Sequence, residues 1–291
     1  YATLSDFARV ASSPRIRAGI LENAVEMEIQ IDCTTTVELL KGDLVMNNRT
    51  TSRGAWQSAA LLALIGGVGV LALHKPTHAG QAPAPVAPPP GATVLFSGTE
   101  EEMKKNFVKR GTDQDGHWKI EDSAMVVGGG DITTRQKFAD YQLHVEFKTP
   151  FMPDKHGQAR GNSGIGLQGK YEVQVLDSFG LKTPGTGDCG SIYNQSAPLV
   201  VASRAPKEWQ TYDIVFRRPR AGADGKLSKA RVTVIHNGLA VQNNYEIKGA
   251  TGIGSGADTD QPDVIIFQDH GNKVEYRNIW IVPLPEQGSS K

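Results

Sequence analysis

The densest run of ionisable and hydrogen-bonding side chains in the 291-residue chain is Arg160-Gly161-Asn162-Ser163-Gly164, followed by Gln168-Gly169-Lys170-Tyr171-Glu172-Val173-Gln174-Val175-Leu176-Asp177. Apolar and polar residues alternate from Tyr171 to Val175, which predicts a strand with Glu172 and Gln174 on one face, because side chains repeat every two residues. Asp177 is out of phase with them. A one-residue bulge near Leu176 is expected to return it to that face, and bulges are common beside active sites. Two carboxylates with an amide between them on a sheet surface suit proton transfer to and from a sugar. The bland alternative is that Glu172 and Asp177 are solvated groups on an exposed sheet face.

Other candidates reduce more readily to structure. His270, in Gln268-Asp269-His270-Gly271, reads as a turn histidine or as an acid. Cys189 sits in a glycine-flanked loop with nothing nearby to depress its thiol pKa, so an inert buried thiol is expected. Trp209 fits the core or a sugar-stacking platform. Gly128-Gly129-Gly130 lacks the Lys-Ser/Thr of a phosphate loop and reads as a turn, while Arg217, Arg218 and Arg220 read as a solvated cluster.

Strands must position these groups. Tyr141, Leu143, Val145 and Phe147 alternate with Gln142, His144, Glu146 and Lys148, the pattern of a half-buried strand. Residues 209–216 and 274–282 are rich in aromatic and β-branched side chains, and residues 231–241 read as a hairpin about Asn237-Gly238. One short helix is expected over residues 100–107. Short strands, glycine loops and almost no helical periodicity predict an all-β jelly-roll sandwich of two antiparallel sheets over residues 92–285.

The balance of 31 basic and 31 acidic groups leaves no cationic excess to neutralise phosphates, which argues against a nucleic-acid partner. Cys33 and Cys189 are too far apart and too few for a zinc or disulfide framework. Residues 1–45 carry no assignable pattern and read as upstream translation. From Met46 the order is Arg49 and Arg53, an apolar run over 59–73, then Thr77-His78-Ala79, which is the layout of a signal peptide over residues 46–79. Residues 54–73 are also about long enough to act as an uncleaved membrane anchor. Either reading predicts an exported protein, periplasmic or extracellular. Residues 80–91 are proline-rich and predict an extended tether, and residues 286–291 form a polar tail.

The spacing E-x-Q-x-x-D resembles the bulged acidic strand of concanavalin-like β-glucanases, with Gln174 in place of their central carboxylate. That replacement argues against ordinary glycoside hydrolysis, in which the central acid helps set its neighbours' protonation. The longer run from Gly161 to Ser178 resembles the central signature of the 3-keto-disaccharide hydrolase domain family. So do Gly187-Asp188-Cys189-Gly190-Ser191-Ile192-Tyr193, Glu208-Trp209-Gln210-Thr211-Tyr212-Asp213, the run from Arg231 to Gly238, and Gln268-Asp269-His270-Gly271 with Arg277-Asn278-Ile279-Trp280. Gly166 departs from the pattern, where a larger, often aromatic, residue is expected, and a less enclosed subsite or a changed sugar preference would follow.

The resemblance implies a concanavalin-like sandwich that cleaves 3-keto-glycosides, by hydrolysis or by removal of the C2 proton, elimination and hydration. It implies Glu172 as general base, Asp177 as its partner, His270 as acid and Arg160 as oxyanion stabiliser. Asn162, Gln168, Gln174, Tyr193 and Gln268 would bind the sugar. A divalent metal on Glu172, Asp177 and His270 is a further candidate, and a sugar 3-dehydrogenase would supply the substrate. The alternative is a non-catalytic carbohydrate-binding module, since fold does not decide function.

Overall fold

The computed structural model describes residues 84–286. The expectations for residues 1–45, for the export or anchor segment at 46–79, for the start of the tether and for nearly all of the tail lie outside the described residues. Among those described, no helix is long and apolar enough to cross a membrane.

The larger sheet runs in the order β11 (Leu239–Glu246), β10 (Arg231–His236), β9 (Gln210–Arg217), β6 (Tyr141–Lys148), β13 (Glu275–Pro283), β4 (Ala124–Val126) and β3 (Lys119–Glu121), with β1 (Thr93–Phe96) also paired to β13. The smaller sheet runs β2 (Phe107–Lys109), β5 (Ile132–Thr134), β12 (Ile266–Phe267), β7 (Ser163–Leu167) and β8 (Tyr171–Val175). Every pairing is antiparallel. The expected all-β sandwich is the observed one.

Alternation decides which groups meet between the sheets. Leu143, Val145 and Phe147 of β6 and Tyr212, Ile214 and Phe216 of β9 face Ile165, Leu167, Val173 and Val175 of the smaller sheet in one core. Fully burying each such side chain contributes about 1.5–3 kcal/mol. The helix α1 (Glu100–Asn106) is short and begins at a capping box: Thr99 accepts from Glu102 N, and the Glu102 side chain accepts from Thr99 N. Its Met103 is buried against the core.

Two hairpins need left-handed residues. Asn237 (φ 51°) and Gly238 (φ 83°) turn β10 into β11, as the dipeptide predicts. Gln168 (φ 49°) and Gly169 (φ 67°) turn β7 into β8, and Gln168 Nε2 is tied to the backbone oxygens of Thr259 and Gln261 at 2.9 and 2.7 Å.

The outward face of β6 differs from the half-buried pattern. His144 and Glu146 are as buried as the core, at 1% and 2% exposure. His144 stacks on Trp280 with centroids 4.7 Å apart, and its Nδ1 lies 2.8 Å from Asp213 Oδ1. Arg277 Nε and Asn278 Nδ2 donate to Glu146 at 2.7 and 2.8 Å. Val86, in the proline-rich segment, donates its N–H to Glu146 Oε1 (2.9 Å), while its carbonyl accepts from Asn278 Nδ2 (2.8 Å). Burial would raise the Glu146 pKa, but the hydrogen bonds from His144, Asn278, Val86 and Arg277 hold it well below the usual carboxylate range. The tether is therefore clasped to the domain from Val86 onward.

Trp209 belongs to this outer face, neither in the sandwich core nor free as a platform. Arg277 lies 4.0 Å and Lys148 Nζ 4.9 Å from its ring centroid. Arg217 and Arg220 converge on buried Asp140, and Arg218 Nη2 pairs with Glu286 at 2.7 Å, so the three arginines form an ion-pair knot.

Candidate active site

Strand β8 places Val173 and Val175 in the core, so Glu172 and Gln174 point out of the sandwich. Their partners on β7 are glycines: Gly166 opposite Glu172, and Gly164 opposite Gln174. A Cβ on Gly164 would lie 2.5 Å from Glu172 Oε1 and 3.1 Å from Gln268 Oε1. The missing side chain is what admits the carboxylate. Gly166 leaves no comparable opening, because Ile266 and Ile253 approach within 3.0 and 3.2 Å of where its Cβ would be. The expected looser subsite at Gly166 is thus filled by two isoleucines.

Over Glu172 lies a cavity of about 210 Å³ lined by Gln174, Asn162, Gln268, Tyr193 and His270, with Gln158 and Gly252 completing its wall. Glu172 is 3% exposed, and no hydrogen bond to its carboxylate is found among the described residues. Burial, and secondarily the Asp131 carboxylate, push its pKa up to about 7.

The amides are oriented from behind. Gln158 Oε1 accepts from Gln174 Nε2 at 2.9 Å and from Asn162 Nδ2 at 3.3 Å, and its backbone oxygen takes a second bond from Asn162 Nδ2 at 2.7 Å. Gln158 Nε2 is itself held by Gly187 O at 2.8 Å. These bonds use the amide nitrogens and leave Asn162 Oδ1 and Gln174 Oε1 buried without partners; Gln268 Oε1 is likewise unpartnered. A buried acceptor left unpaired costs about 1–3 kcal/mol. Three unpaired oxygens around one cavity suit a ligand that carries hydroxyl donors.

The walls come from distant loops. Asp131 Oδ1 accepts from Asp269 N at 2.8 Å, next to His270, and Asp131 Oδ2 pairs with Arg110 Nη1 at 2.8 Å. Arg110 Nη2 donates to Ile253 O at 2.7 Å, beside Gly252. Tyr193 N donates to Glu172 O at 3.2 Å, which lays residues 190–193 along the free edge of β8.

Asp177 and Arg160 stand elsewhere. Strand β8 ends at Val175, and Val175 and Leu176 both enter the core, so the alternation breaks at Leu176, where the bulge is expected. Asp177 then faces a neighbouring cavity and pairs with Arg160, Oδ2 to Nε, at 3.2 Å. Gln168 lies in the hairpin turn, outside both cavities. The structure therefore brings Glu172, Gln174, Asn162, Gln268, Tyr193 and His270 together, and separates Asp177, Arg160 and Gln168 from them. Glu172, Asp177 and His270 do not fit a shared metal: among the described residues no group of three His, Cys, Asp or Glu side chains could hold one.

Sequence reasoning did not single out Gln158 or Gly252. Gln158 lies in a one-turn 3-10 helix (Gly157–Ala159) two residues before Arg160, a place with no periodic signal. Cys189 is buried, and burial pushes its thiol pKa up, as an inert thiol requires.

A crystal structure described as a putative glycosyl hydrolase from Parabacteroides distasonis is 37% identical to this chain, with a TM-score of 0.60, and the match covers 72% of this chain and 97% of that one. A second structure from that organism, similarly described, is 21% identical with a TM-score of 0.47 and covers 67% and 94% of the two chains. No curated protein matches. Residues 91–282 match the model of the 3-keto-alpha-glucoside-1,2-lyase-like domain, and the chain belongs to that family. It is a carbohydrate-active enzyme by that membership.

Proposed function

We propose that the domain cleaves 3-keto-glycosides by abstracting the C2 proton, with Glu172 as the base. The observation that carries this reading is the Glu172 carboxylate, the one carboxylate lining its cavity, buried without a hydrogen-bond partner among the described residues and with its pKa pushed to about 7. A general base works best with its pKa near the working pH. Paired-carboxylate hydrolysis needs two acids flanking the scissile bond at about 5–9.5 Å, and the Glu172 cavity holds one. A C3 ketone makes one sufficient, because it acidifies the neighbouring C2–H.

Glu172 takes the C2 proton and the C2–H electron pair forms the enolate. When the C3 carbonyl re-forms, C1=C2 forms and the C1–oxygen bond breaks, with the electron pair leaving on the departing oxygen. His270 supplies its proton, and the Tyr193 hydroxyl donates to the enolate oxygen. Water then adds its oxygen to C1 and a proton to C2, restoring the keto sugar. Asn162, Gln174 and Gln268 accept from the ring hydroxyls. A sugar 3-dehydrogenase is the class of enzyme that would supply the ketone, and export through residues 46–79 would place the reaction outside the cytoplasm.

The test is proton NMR in deuterated water of a 3-keto-glucoside with residues 80–291, beside Glu172→Gln and an unoxidised glucoside. Cleavage with deuterium entering C2 faster than the enzyme-free rate, lost in the variant, is expected. Cleavage without deuterium entry would replace elimination by direct hydrolysis. Sugar binding with no cleavage would make the domain a carbohydrate-binding module.

A further inference from the structure

On the other side of the 158–162 segment lies the second cavity, of about 350 Å³. Gln158 and Asn162 line the Glu172 cavity, while Arg160 between them lines this one; Gln174 and Asp177 divide in the same way. Two adjoining compartments thus share one wall, and their chemistry is opposite. The first is polar and holds three unpaired amide oxygens. The second has one ion pair, Arg160 with Asp177, and is otherwise built from apolar groups, among them Pro153 and Pro206.

Its lining includes Phe151 and Phe179, which are 58% and 51% exposed. Covering an exposed phenyl ring is favourable by about 1.5–3 kcal/mol when complete. A second sugar ring is a poor occupant, since each hydroxyl taken from water without a partner costs about 1–3 kcal/mol. The polar groups here are already committed: Asp177 Oδ2 to Arg160 Nε, and Arg160 Nη2 to Asp177 O at 2.9 Å. Arg160 Nη1 alone is without a hydrogen-bond partner among the described residues. Lys207 Nζ lies 5.7 Å from the Phe151 ring centroid, at one face of that ring, so the cavity offers flat apolar contact and cationic donors at its margin, the complement of a planar ring that carries an oxygen.

We propose that this cavity receives an aromatic leaving group, a phenol joined through its oxygen to C1 of the keto sugar. The proposal rests on the keto-glycoside reading and names the second half of that substrate. The phenyl rings of Phe151 and Phe179 cover the faces of the aromatic group, and Arg160 Nη1 donates to its oxygen. When the C1–oxygen bond breaks, that oxygen keeps the electron pair and takes the proton that His270 supplies, which completes the phenol. Aromatic pairs contribute about 0.5–1.5 kcal/mol beyond area burial.

The experiment compares kcat/KM for a 4-nitrophenyl 3-keto-glucoside and a 3-keto-disaccharide in the unsubstituted chain and in F151A/F179A, and titrates free 4-nitrophenol into both proteins by calorimetry. Both phenylalanines are exposed, so the fold should tolerate their loss. The aryl substrate is expected to lose about tenfold more than the disaccharide, and 4-nitrophenol affinity to fall by about the same factor, equivalent to about 1.4 kcal/mol. Equal losses on both substrates, no loss on either, or unaltered 4-nitrophenol binding would overturn the proposal. If neither substrate turns over in the unsubstituted chain, the keto-glycoside reading fails. The 4-nitrophenol titration would then still decide whether the cavity takes an aromatic group.

Discussion

Gly164 makes the Glu172 carboxylate possible: a single added carbon on the glycine would stand 2.5 Å from Glu172 Oε1. Strand β7 thus carries a functional vacancy beside the base, at the position paired with Gln174. Gly164 does not have a left-handed φ, so alanine costs nothing in backbone strain there. Gly164→Ala is expected to fold and to lose at least about tenfold in kcat, because a misplaced base forfeits much of the hundredfold or more that such a group contributes. Circular dichroism beside turnover separates this from misfolding.

Removing the base is the more direct test. Glu172→Gln should lower kcat by about a hundredfold or more. In the unsubstituted enzyme kcat/KM should rise with pH through about 7, the value to which burial and Asp131 push the carboxyl. A profile flat from pH 5 to 8 would be incompatible with Glu172 as the base.

The same raised pKa has a stability signature. The unfolded chain ionises this glutamate first, near 4.5, so between about 4.5 and 7 the folded state binds more protons and stability falls as pH rises. The penalty is complete above about 7 and amounts to about 3 kcal/mol at most. Glu172→Gln lacks it. Urea unfolding at pH 5 and pH 8 should show the variant's advantage growing with pH.

Gln158 acts through Gln174 and Asn162. Gln158→Ala removes the 2.9 Å bond that holds the Gln174 amide and the longer of the two bonds on Asn162, which keeps its bond to the backbone oxygen of residue 158; it is expected to raise KM about tenfold, with a smaller effect on kcat, each lost bond being worth about 1 kcal/mol. Loss in kcat alone would argue against this positioning role.

At Gly166 the neighbours are Ile266 and Ile253, and overpacking costs about 1–3 kcal/mol. Gly166→Val should therefore lower the Tm, where an open subsite would have accepted valine without loss.

Alternation made most of the sandwich legible. Strand β6 is readable from Tyr141, Leu143, Val145 and Phe147, and the β10–β11 turn from Asn237-Gly238. Glu172 and Gln174 were legible for the same reason, since a two-residue period needs no tertiary information. For Asp177 the break in alternation at Leu176 was legible, but its ion pair with Arg160 beside a second cavity was not, because Arg160 comes from a segment with no periodic signal. Nor did the polar half of β6 show that His144 and Glu146 would be buried, because Asp213, Arg277 and Asn278 reach them from 69 to 132 residues away. Gln168 looked like a sugar ligand, but the turn's left-handed backbone turns its amide to residues 259 and 261.

The clasp of Val86 between Glu146 and Asn278 lies on the outward face of the larger sheet, whereas Glu172 lies on the outward face of the smaller one. The proline segment therefore meets the sandwich from behind. An affinity handle or solid support joined through that segment would grip the domain by its back, with the Glu172 cavity turned toward the bulk solution.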